Sequence, residues 1–175
     1  MSTSSHGRDD LQPGAWLEAE DFERVVRLTP LVSIDMVVRS QEGHVLLGRR
    51  KNDPARNSFF VPGGRITKNE SLEAAFQRIT LAELGLQLEL KQARFFGVYE
   101  HIYQENVFRK PGFGTHYVVL AYELALPEQP ASLPTAQHED YVWKTETEVL
   151  AWSAVHENTK AYFRGIPPDP VPQRA

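Results

Sequence analysis

Alternation of apolar and polar residues predicts β-strands in the first half of the chain. Residues 31–38 alternate in this way, so Ser33 and Asp35 are expected on the polar face of a strand. Residues 44–50 follow a glycine-containing turn and are expected to return beside it as a hairpin. A short apolar strand is expected at residues 59–61, where it stops at a Pro-Gly-Gly sequence. The pattern therefore predicts a sheet that begins near residue 31.

Apolar residues three and four positions apart predict a central helix over residues 71–84. Ser71 is a favourable N-cap residue, and Gly85 is a favourable C-terminal stop. The stripe expected to face the core consists of Leu72, Phe76, Ile79, Glu83 and Leu86. Shorter helices are expected at residues 21–28, 145–152 and 158–164.

The second half of the chain is expected to add more strands than helices. Two or three strands are predicted within residues 86–103, one at 115–124 and one at 141–143. The Pro-rich stretch over 127–139 is expected to be a surface loop. Strands mixed with few helices predict an α/β (α+β) layered domain.

One domain is expected, over residues 20–165. A chain of 175 residues, 41% of them hydrophobic, can bury one core but is short for two domains. Residues 1–19 are expected to form a flexible N-terminal tail, whose polar start argues against a signal peptide or a membrane span. Residues 166–175 are too Pro-rich to pack and are expected to form a flexible C-terminal tail.

Composition narrows the class of partner. The chain has no cysteine, which excludes disulfide bridges, thiolate metal sites and a cysteine nucleophile, and agrees with a cytoplasmic location. Its net charge of -4 argues against a nucleic-acid binder held by phosphate contacts. Basic residues are nevertheless concentrated in one stretch: Arg49, Arg50, Lys51, Arg56, Arg65, Lys68 and Arg78. Such a patch predicts a small polyanion as partner, with no nucleic acid and no membrane.

Glu83 is a carboxylate on the apolar stripe of the central helix. Burying a carboxylate without a partner is costly, so this side chain needs one. One interpretation is an ion pair with an internal arginine. The other is a hard cation held beside the Gly63-Gly64 turn, whose carbonyls would supply oxygen ligands of the kind that Mg²⁺ prefers.

The residues around Glu83 favour the cation. The segment from Gly64 to Leu86 resembles the Nudix signature, in which a glycine, several glutamates and an arginine stand at fixed spacings. The matching residues are Gly64, Glu70, Arg78, Glu83, Gly85 and Leu86. Ile79 and Ala82 stand where the signature has glutamates, and Thr80 replaces an aliphatic residue. The resemblance implies an α/β/α sandwich with a mixed central sheet.

The two missing glutamates change the expected chemistry. With Glu83 left on the helix, one cation is expected in place of several. A single cation can make a diphosphate a good leaving group, but another residue must then activate water. This combination favours water attack at the anomeric carbon of a nucleotide-diphosphate sugar.

The altered signature is similar to that of the GDP-mannose mannosyl hydrolases, a branch of the Nudix enzymes. Other similar segments are FERVVRLTPLVSID, LLGRR, FFVPGGR, GVYEHIY, THYVVL, QHEDY and TKAYF. The resemblance thus covers roughly residues 22–163. It implies hydrolysis of GDP-mannose, or of GDP-glucose, to GDP and free sugar with inversion, one Mg²⁺ or Mn²⁺ ion per active site, and a homodimer.

The resemblance also implies roles for individual residues. The Gly63 carbonyl, Glu83 and Gln137 would hold the metal, and His138 would be the general base. An imidazole near its ordinary pKa can take a proton from water at neutral pH. The alternative for His138 is a solvent-exposed histidine in a Pro-flanked loop.

Charged residues outside the metal set are candidates for substrate contacts. Arg50, Arg65 and Arg78 are the candidate diphosphate ligands, because guanidinium groups match phosphate oxygens. Arg78 has an alternative role, a salt bridge to Glu70 that braces the loop. Asp35 resembles the family's sugar-orienting aspartate, and its alternative is ordinary solvation.

Four aromatic residues match substrate-binding positions of the family. His101, Tyr103 and Tyr117 correspond to residues near the phosphates or the sugar. Phe22 corresponds to a residue that stacks on guanine across the dimer interface. Core packing is the competing interpretation for all four.

Two other functions remain open on the sequence. A conventional Nudix pyrophosphohydrolase would release GMP and mannose 1-phosphate. A degenerate Nudix module would bind a nucleotide sugar without turnover, which the two missing glutamates favour. The presence of Glu83, Gln137 and His138 argues against that module.

Overall fold

A seven-stranded mixed sheet forms the centre of the computed structural model, which describes residues 15–127, 130, 132–136 and 138–165. The strands are β1 (Leu31–Arg39), β2 (Val45–Arg50), β3 (Phe59–Phe60), β4 (Gly63–Arg65), β5 (Arg94–Tyr103), β6 (Thr115–Ala125) and β7 (His138–Lys144). β1 pairs in parallel with β6 and antiparallel with β4. β2 pairs antiparallel with β1, β3 and β7. Because β4 pairs with β1 and β7 pairs with β2, both lie beside the hairpin formed by β1 and β2.

Helices cover both faces of this sheet. They are α1 (Ala19–Leu28), α2 (Leu72–Leu84), α3 (Glu146–Ala151) and α4 (Glu157–Ala161). On one face, Ile34 and Met36 pack with Phe76 and Ile79 of α2. On the opposite face, the buried set consists of Val37, Val45, Leu47, Phe59, Val61, Ala121, Val149, Val155 and Tyr162. This arrangement confirms the predicted α/β/α layers around a mixed sheet.

The central helix has the ends that its sequence predicts. Ser71 Oγ accepts a hydrogen bond from the Ala74 N–H at 3.2 Å, and Gly85 adopts the left-handed conformation at φ 71°. Phe76, Ile79 and Glu83 are buried as expected, whereas Leu72 is 42% exposed. The prediction was wrong for Leu72 because the packing of α2 on the sheet begins one turn later, at Ala75.

The segment after α2 differs from its prediction. In place of two or three strands, it forms a single 3-10 turn at Leu90–Gln92 and then one strand, β5. Leu86, Leu88 and Leu90 pack against the α2 side of the core. Their alternating apolar positions are typical of a strand, but here these side chains pack against the α2 side of the core from a segment that forms no strand.

Two other expectations about strands were wrong in detail. β7 begins at His138 and not at residue 141, because His138 pairs with Arg50 in the sheet. In β1, Ser33 is buried while Val32 is 43% exposed. β1 is a central strand with neighbours on both edges and helices over both faces, so alternation did not separate a core face from a solvent face.

No helix within the described ranges has the length and apolar character needed to cross a lipid bilayer.

Candidate active site

A cavity of about 330 Å³ lies where β1, β4, α2 and the start of β7 meet. The predicted site residues that line it are Phe22, Asp35, Arg50, Gly63, Arg65, Arg78, Glu83, His101, Tyr103, Tyr117 and His138. Gln137 lies outside the described residues. The fold thus brings every described candidate to one cavity, although they come from eight helices and strands.

Glu83 and His138 form a buried pair at the base of the cavity. Glu83 is 2% exposed, His138 is 4% exposed, and 3.0 Å separates Glu83 Oε2 from His138 Nε2. The interpretation of His138 as a solvent-exposed loop residue is therefore wrong. Its strand pairing with Arg50 of β2 buries it and directs its ring toward the helix.

Gly48 of β2 provides the space that the His138 ring occupies. A Cβ atom at position 48 would lie 2.5 Å from both Cγ and Nδ1 of His138. A side chain at this position would displace the ring, so the site requires glycine there. Because Nδ1 is packed against this strand, Nε2 is the ring nitrogen that meets Glu83.

The remaining oxygen of Glu83 fits a cation. Among the described residues, Glu83 Oε1 is buried without a hydrogen-bond partner, a costly state for a carboxylate. A divalent ion would satisfy this oxygen, with backbone carbonyl and amide oxygens as further ligands. Within the described ranges no three His, Asp or Glu side chains gather as a metal cluster, so carboxylates alone do not build the site.

Asp35 lies in the wall of the cavity, and its carboxylate is hydrogen-bonded to a residue outside the cavity lining. Asp35 Oδ2 accepts a hydrogen bond from the Tyr162 hydroxyl at 2.7 Å, and Oδ1 lies against Gly63, where a Cβ would be 2.5 Å away. Burial raises the pKa of Asp35 to about 6, and the Tyr162 hydrogen bond and the charge of Arg50 oppose this rise. Ordinary solvation does not describe this carboxylate.

His101 and two tyrosines form the neighbouring wall. Burial, together with the nearby His156 and Arg50, lowers the pKa of His101 to about 4, so its imidazole is neutral at pH 7. Tyr103 and Tyr117 meet edge to face, with ring centroids 6.2 Å apart. Burial raises the pKa of both phenols, which keeps their hydroxyl protons available for donation.

Arg50 and Arg65 supply the positive charge of the cavity. Arg50 lies near enough to oppose the rise in the pKa of Asp35 and of Tyr117. Its guanidinium carbon is 5.2 Å from the Phe60 ring centroid. The Arg65 guanidinium lies over the Phe22 ring at 3.8 Å and near the Trp16 ring at 4.8 Å.

Arg78 is committed to bracing the loop before α2. Its Nε donates to Glu70 Oε1 at 2.7 Å, and its Nη2 donates to Glu70 Oε2 at 2.8 Å and to the Arg65 carbonyl at 2.7 Å. Glu70 also accepts from the backbone N–H of Thr67 at 3.0 Å. The geometry therefore supports the bracing role, while Arg78 still contributes to the cavity lining.

This brace leads to a prediction about stability. Hydrogen bonds from Arg78 and Thr67 lower the pKa of Glu70 from 4.5 to about 2. The stabilisation is therefore complete above pH 4.5 and is lost as the pH falls toward 2. We expect Glu70→Gln to lower the unfolding free energy at pH 7 by about 1.5–3 kcal/mol, and to remove that acid dependence, in urea titrations at several pH values.

The exposed Glu73, in the first turn of α2 and three residues after Glu70, gives a matched control. Glu73→Gln should change the unfolding free energy by about 0.5 kcal/mol or less. Equal stability of the two variants at pH 7 would contradict the brace.

Sequence reasoning missed two residues at this site. Trp16 was assigned to the N-terminal tail, yet it lines the cavity and contacts Arg65. Tyr162 was placed in a short helix without a role, although it lies in the segment TKAYF that carried part of the resemblance. A tryptophan next to a polar tail was the one available signal for the first, and that quoted segment was the signal for the second.

Comparisons with known proteins agree with this architecture. The low-salt glycan biosynthesis protein Agl8 of Haloferax volcanii is 35% identical over 143 residues, covering 79% of this chain and 86% of that protein. The ADP-ribose pyrophosphatase of Methanocaldococcus jannaschii is 35% identical over 72 residues, covering 41% of each chain. The MutT Nudix hydrolase from Burkholderia pseudomallei superimposes with a TM-score of 0.64 at 24% identity, over 79% of this chain and 99% of that chain.

The structural likeness confirms the predicted sandwich fold. The sequence model of the NUDIX domain family matches residues 29–164 of this chain. This range includes β1, α2 and all the described candidate residues except Phe22. This match to the NUDIX domain supports a hydrolase. The chain belongs to the Nudix family.

Proposed function

We propose that this Nudix hydrolase cleaves GDP-mannose, with GDP-glucose as a further substrate, to GDP and free sugar. Water attacks the anomeric carbon, and the sugar is released with inverted configuration. The reaction requires one Mg²⁺ or Mn²⁺ ion. The choice of guanine and mannose rests on the resemblance to the GDP-mannose mannosyl hydrolases.

One observation carries this proposal: the face that α2 turns to the cavity. Its lining residues within the described part of the chain are Arg78, Ile79, Ala82 and Glu83, so Glu83 is the one carboxylate. Ile79 and Ala82 occupy positions where glutamates would bind several cations and so activate water for attack at phosphorus. A group from outside the helix must therefore activate the water, and His138 is 3.0 Å from Glu83.

Glu83 Oε1, the Gly63 carbonyl and Gln137 would hold the cation. Nudix hydrolases generally use such ions, and here the ion would neutralise the diphosphate and so improve it as a leaving group. Arg50 and Arg65 bind the same phosphate oxygens, because their guanidinium groups face one cavity.

His138 takes the proton from the attacking water. Its Nδ1 is packed against Gly48, so Nε2 is the ring nitrogen that faces the site. Because a carboxylate can only accept, Nε2 acts as the base in the tautomer whose ring proton is on Nδ1, when its lone pair meets the water and not Glu83. The adjacent Glu83 then stabilises the imidazolium that forms. Asp35 and His101 orient the sugar, because both line the wall next to Arg50. Phe22 and Trp16 offer aromatic faces to the base.

Assembly and location belong to the same proposal. The protein acts as a homodimer in the cytoplasm, as the resemblance and the lack of cysteine suggest. Phe22 lies against Arg65 of its own chain, and the resemblance implies that it stacks on guanine across the dimer interface. The relative Agl8 is a glycan biosynthesis protein, which supports a nucleotide sugar as substrate.

Hydrolysis of GDP-mannose in oxygen-18 water tests the site of attack. We expect the label in mannose and none in GDP, read by mass spectrometry of both products, because attack at carbon leaves every phosphate oxygen in place. NMR of the sugar first released should show the inverted anomer. Label in a phosphate, with GMP and mannose 1-phosphate as products, would contradict attack at carbon.

That contrary result would support a conventional pyrophosphohydrolase, the second candidate. The match to an ADP-ribose pyrophosphatase favours it, although the match covers 41% of that protein. Binding of GDP-mannose without any product would instead support the degenerate module.

A further inference from the structure

We propose that Tyr162 is a positioning residue, whose hydroxyl fixes Asp35 and His101 in the wall of the cavity. It lies behind both side chains and outside the cavity lining. The inference rests on the proposed function, because it assigns Asp35 and His101 to the substrate. It adds a residue from the C-terminal segment to a site that the signature places on α2 and the loop before it.

The Tyr162 hydroxyl bonds to two residues on different strands. It lies 2.7 Å from Asp35 Oδ2, on β1, and 3.3 Å from His101 Nε2, on β5. The hydroxyl has a single proton, and the shorter contact is to a carboxylate, which can only accept. Tyr162 therefore donates to Asp35 and accepts from the Nε2–H of His101.

These two bonds set the chemical state of both wall residues. The tyrosine takes up Oδ2 of Asp35, which leaves Oδ1 on the side of Gly63 and the cavity. The same hydroxyl selects the tautomer of His101 that carries its proton on Nε2, which leaves Nδ1 as an acceptor. One buried group thus orients an acceptor on each of two strands.

Tyr162 can do this because its own ring is fixed. It directly follows α4, is 4% exposed, and belongs to the core cluster opposite α2. The Tyr99 ring meets it edge to face at 4.6 Å. A ring locked by packing holds its hydroxyl with little loss of side-chain entropy on substrate binding.

Tyr162→Phe tests this role because it removes the hydroxyl and keeps the ring. We expect kcat for the nucleotide sugar to fall by about 10- to 100-fold, since one hydrogen bond to a charged group is lost. The affinity for GDP should stay within about two-fold, because neither partner of Tyr162 is assigned to the base or the metal. Tyr99→Phe is the matched control: its hydroxyl is buried without a hydrogen-bond partner among the described residues.

A double-mutant cycle separates positioning from a general structural role. In the Asp35→Ala background, Tyr162→Phe should lower kcat by less than about three-fold, because the partner is already gone. A loss of equal size in both backgrounds would overturn the inference. So would an unchanged kcat in Tyr162→Phe, or an equal loss in Tyr99→Phe.

Crystal structures of Tyr162→Phe and Tyr99→Phe give a readout that needs no turnover. The Asp35 carboxylate should leave its orientation in the first variant and keep it in the second. An unmoved Asp35 and His101 in Tyr162→Phe would refute the inference even if the protein hydrolyses GDP-mannose. Conversely, a moved Asp35 without hydrolysis at carbon would leave the positioning intact and count against the proposed function alone.

Discussion

Replacing His138 with glutamine is expected to lower turnover of GDP-mannose by about two to four orders of magnitude. The change removes the imidazole, whose Nε2 would accept the proton of water, and that contribution has this typical size. A glutamine amide can still donate to Glu83, so the buried carboxylate keeps a partner at that position. Magnesium-dependent binding of GDP, measured by calorimetry, should therefore change little.

His116→Gln is the matched control for this substitution. His116 lies on β6, pairs with Glu100 at 3.3 Å and is absent from the cavity lining. Its replacement should leave turnover within about two-fold of the original protein. If His138→Gln retained turnover within about ten-fold, another base would be needed.

Asp35 would then be the next base to test. Glu139 and Asp140 also follow His138 in the sequence, but both pair with Arg49, at 3.1 Å and 2.6 Å. They are exposed, and neither lines the cavity. Their positions leave Asp35 as the alternative base among these three carboxylates.

Glu83→Gln is expected to lower turnover by about three orders of magnitude and to abolish the effect of Mg²⁺ on GDP binding. The substitution keeps the shape of the side chain and the contact with His138, but it removes the negative charge that attracts a cation. Charge stabilisation of several kcal/mol by a bound metal corresponds to a loss of this size. Calorimetric titration of GDP with and without Mg²⁺ would read the binding effect.

The exposed Glu73 on the same helix serves again as the control. Glu73→Gln should keep both the turnover and the magnesium dependence. If Glu83→Gln bound GDP with the same gain from Mg²⁺ as the original protein, the cation would not be held by Glu83. The sequence also allowed an ion pair between Glu83 and an internal arginine. The structure instead places His138 beside this carboxylate.

Local patterns predicted the parts of the fold that depend on local contacts. Helix α2 matches its prediction because the N-cap bond of Ser71 and the left-handed Gly85 involve residues a few positions away. The strand of Leu31–Arg39 and the hairpin after it follow from alternation and a turn. The stretch from Leu86 to Leu90 was misread, because its apolar residues serve a distant core and not a neighbouring strand.

The sequence by itself determined that this chain carries a modified Nudix segment, because Gly64, Glu70, Arg78 and Glu83 stand close together at fixed spacings. Only the tertiary structure decided what those residues contact. Glu83 meets His138 across 55 positions, and Asp35 meets Tyr162 across 127, through strand pairing and helix packing that no local spacing encodes. Burial then decides the chemistry, because a carboxylate or an imidazole enclosed by a sheet and a helix must find its partner inside the protein.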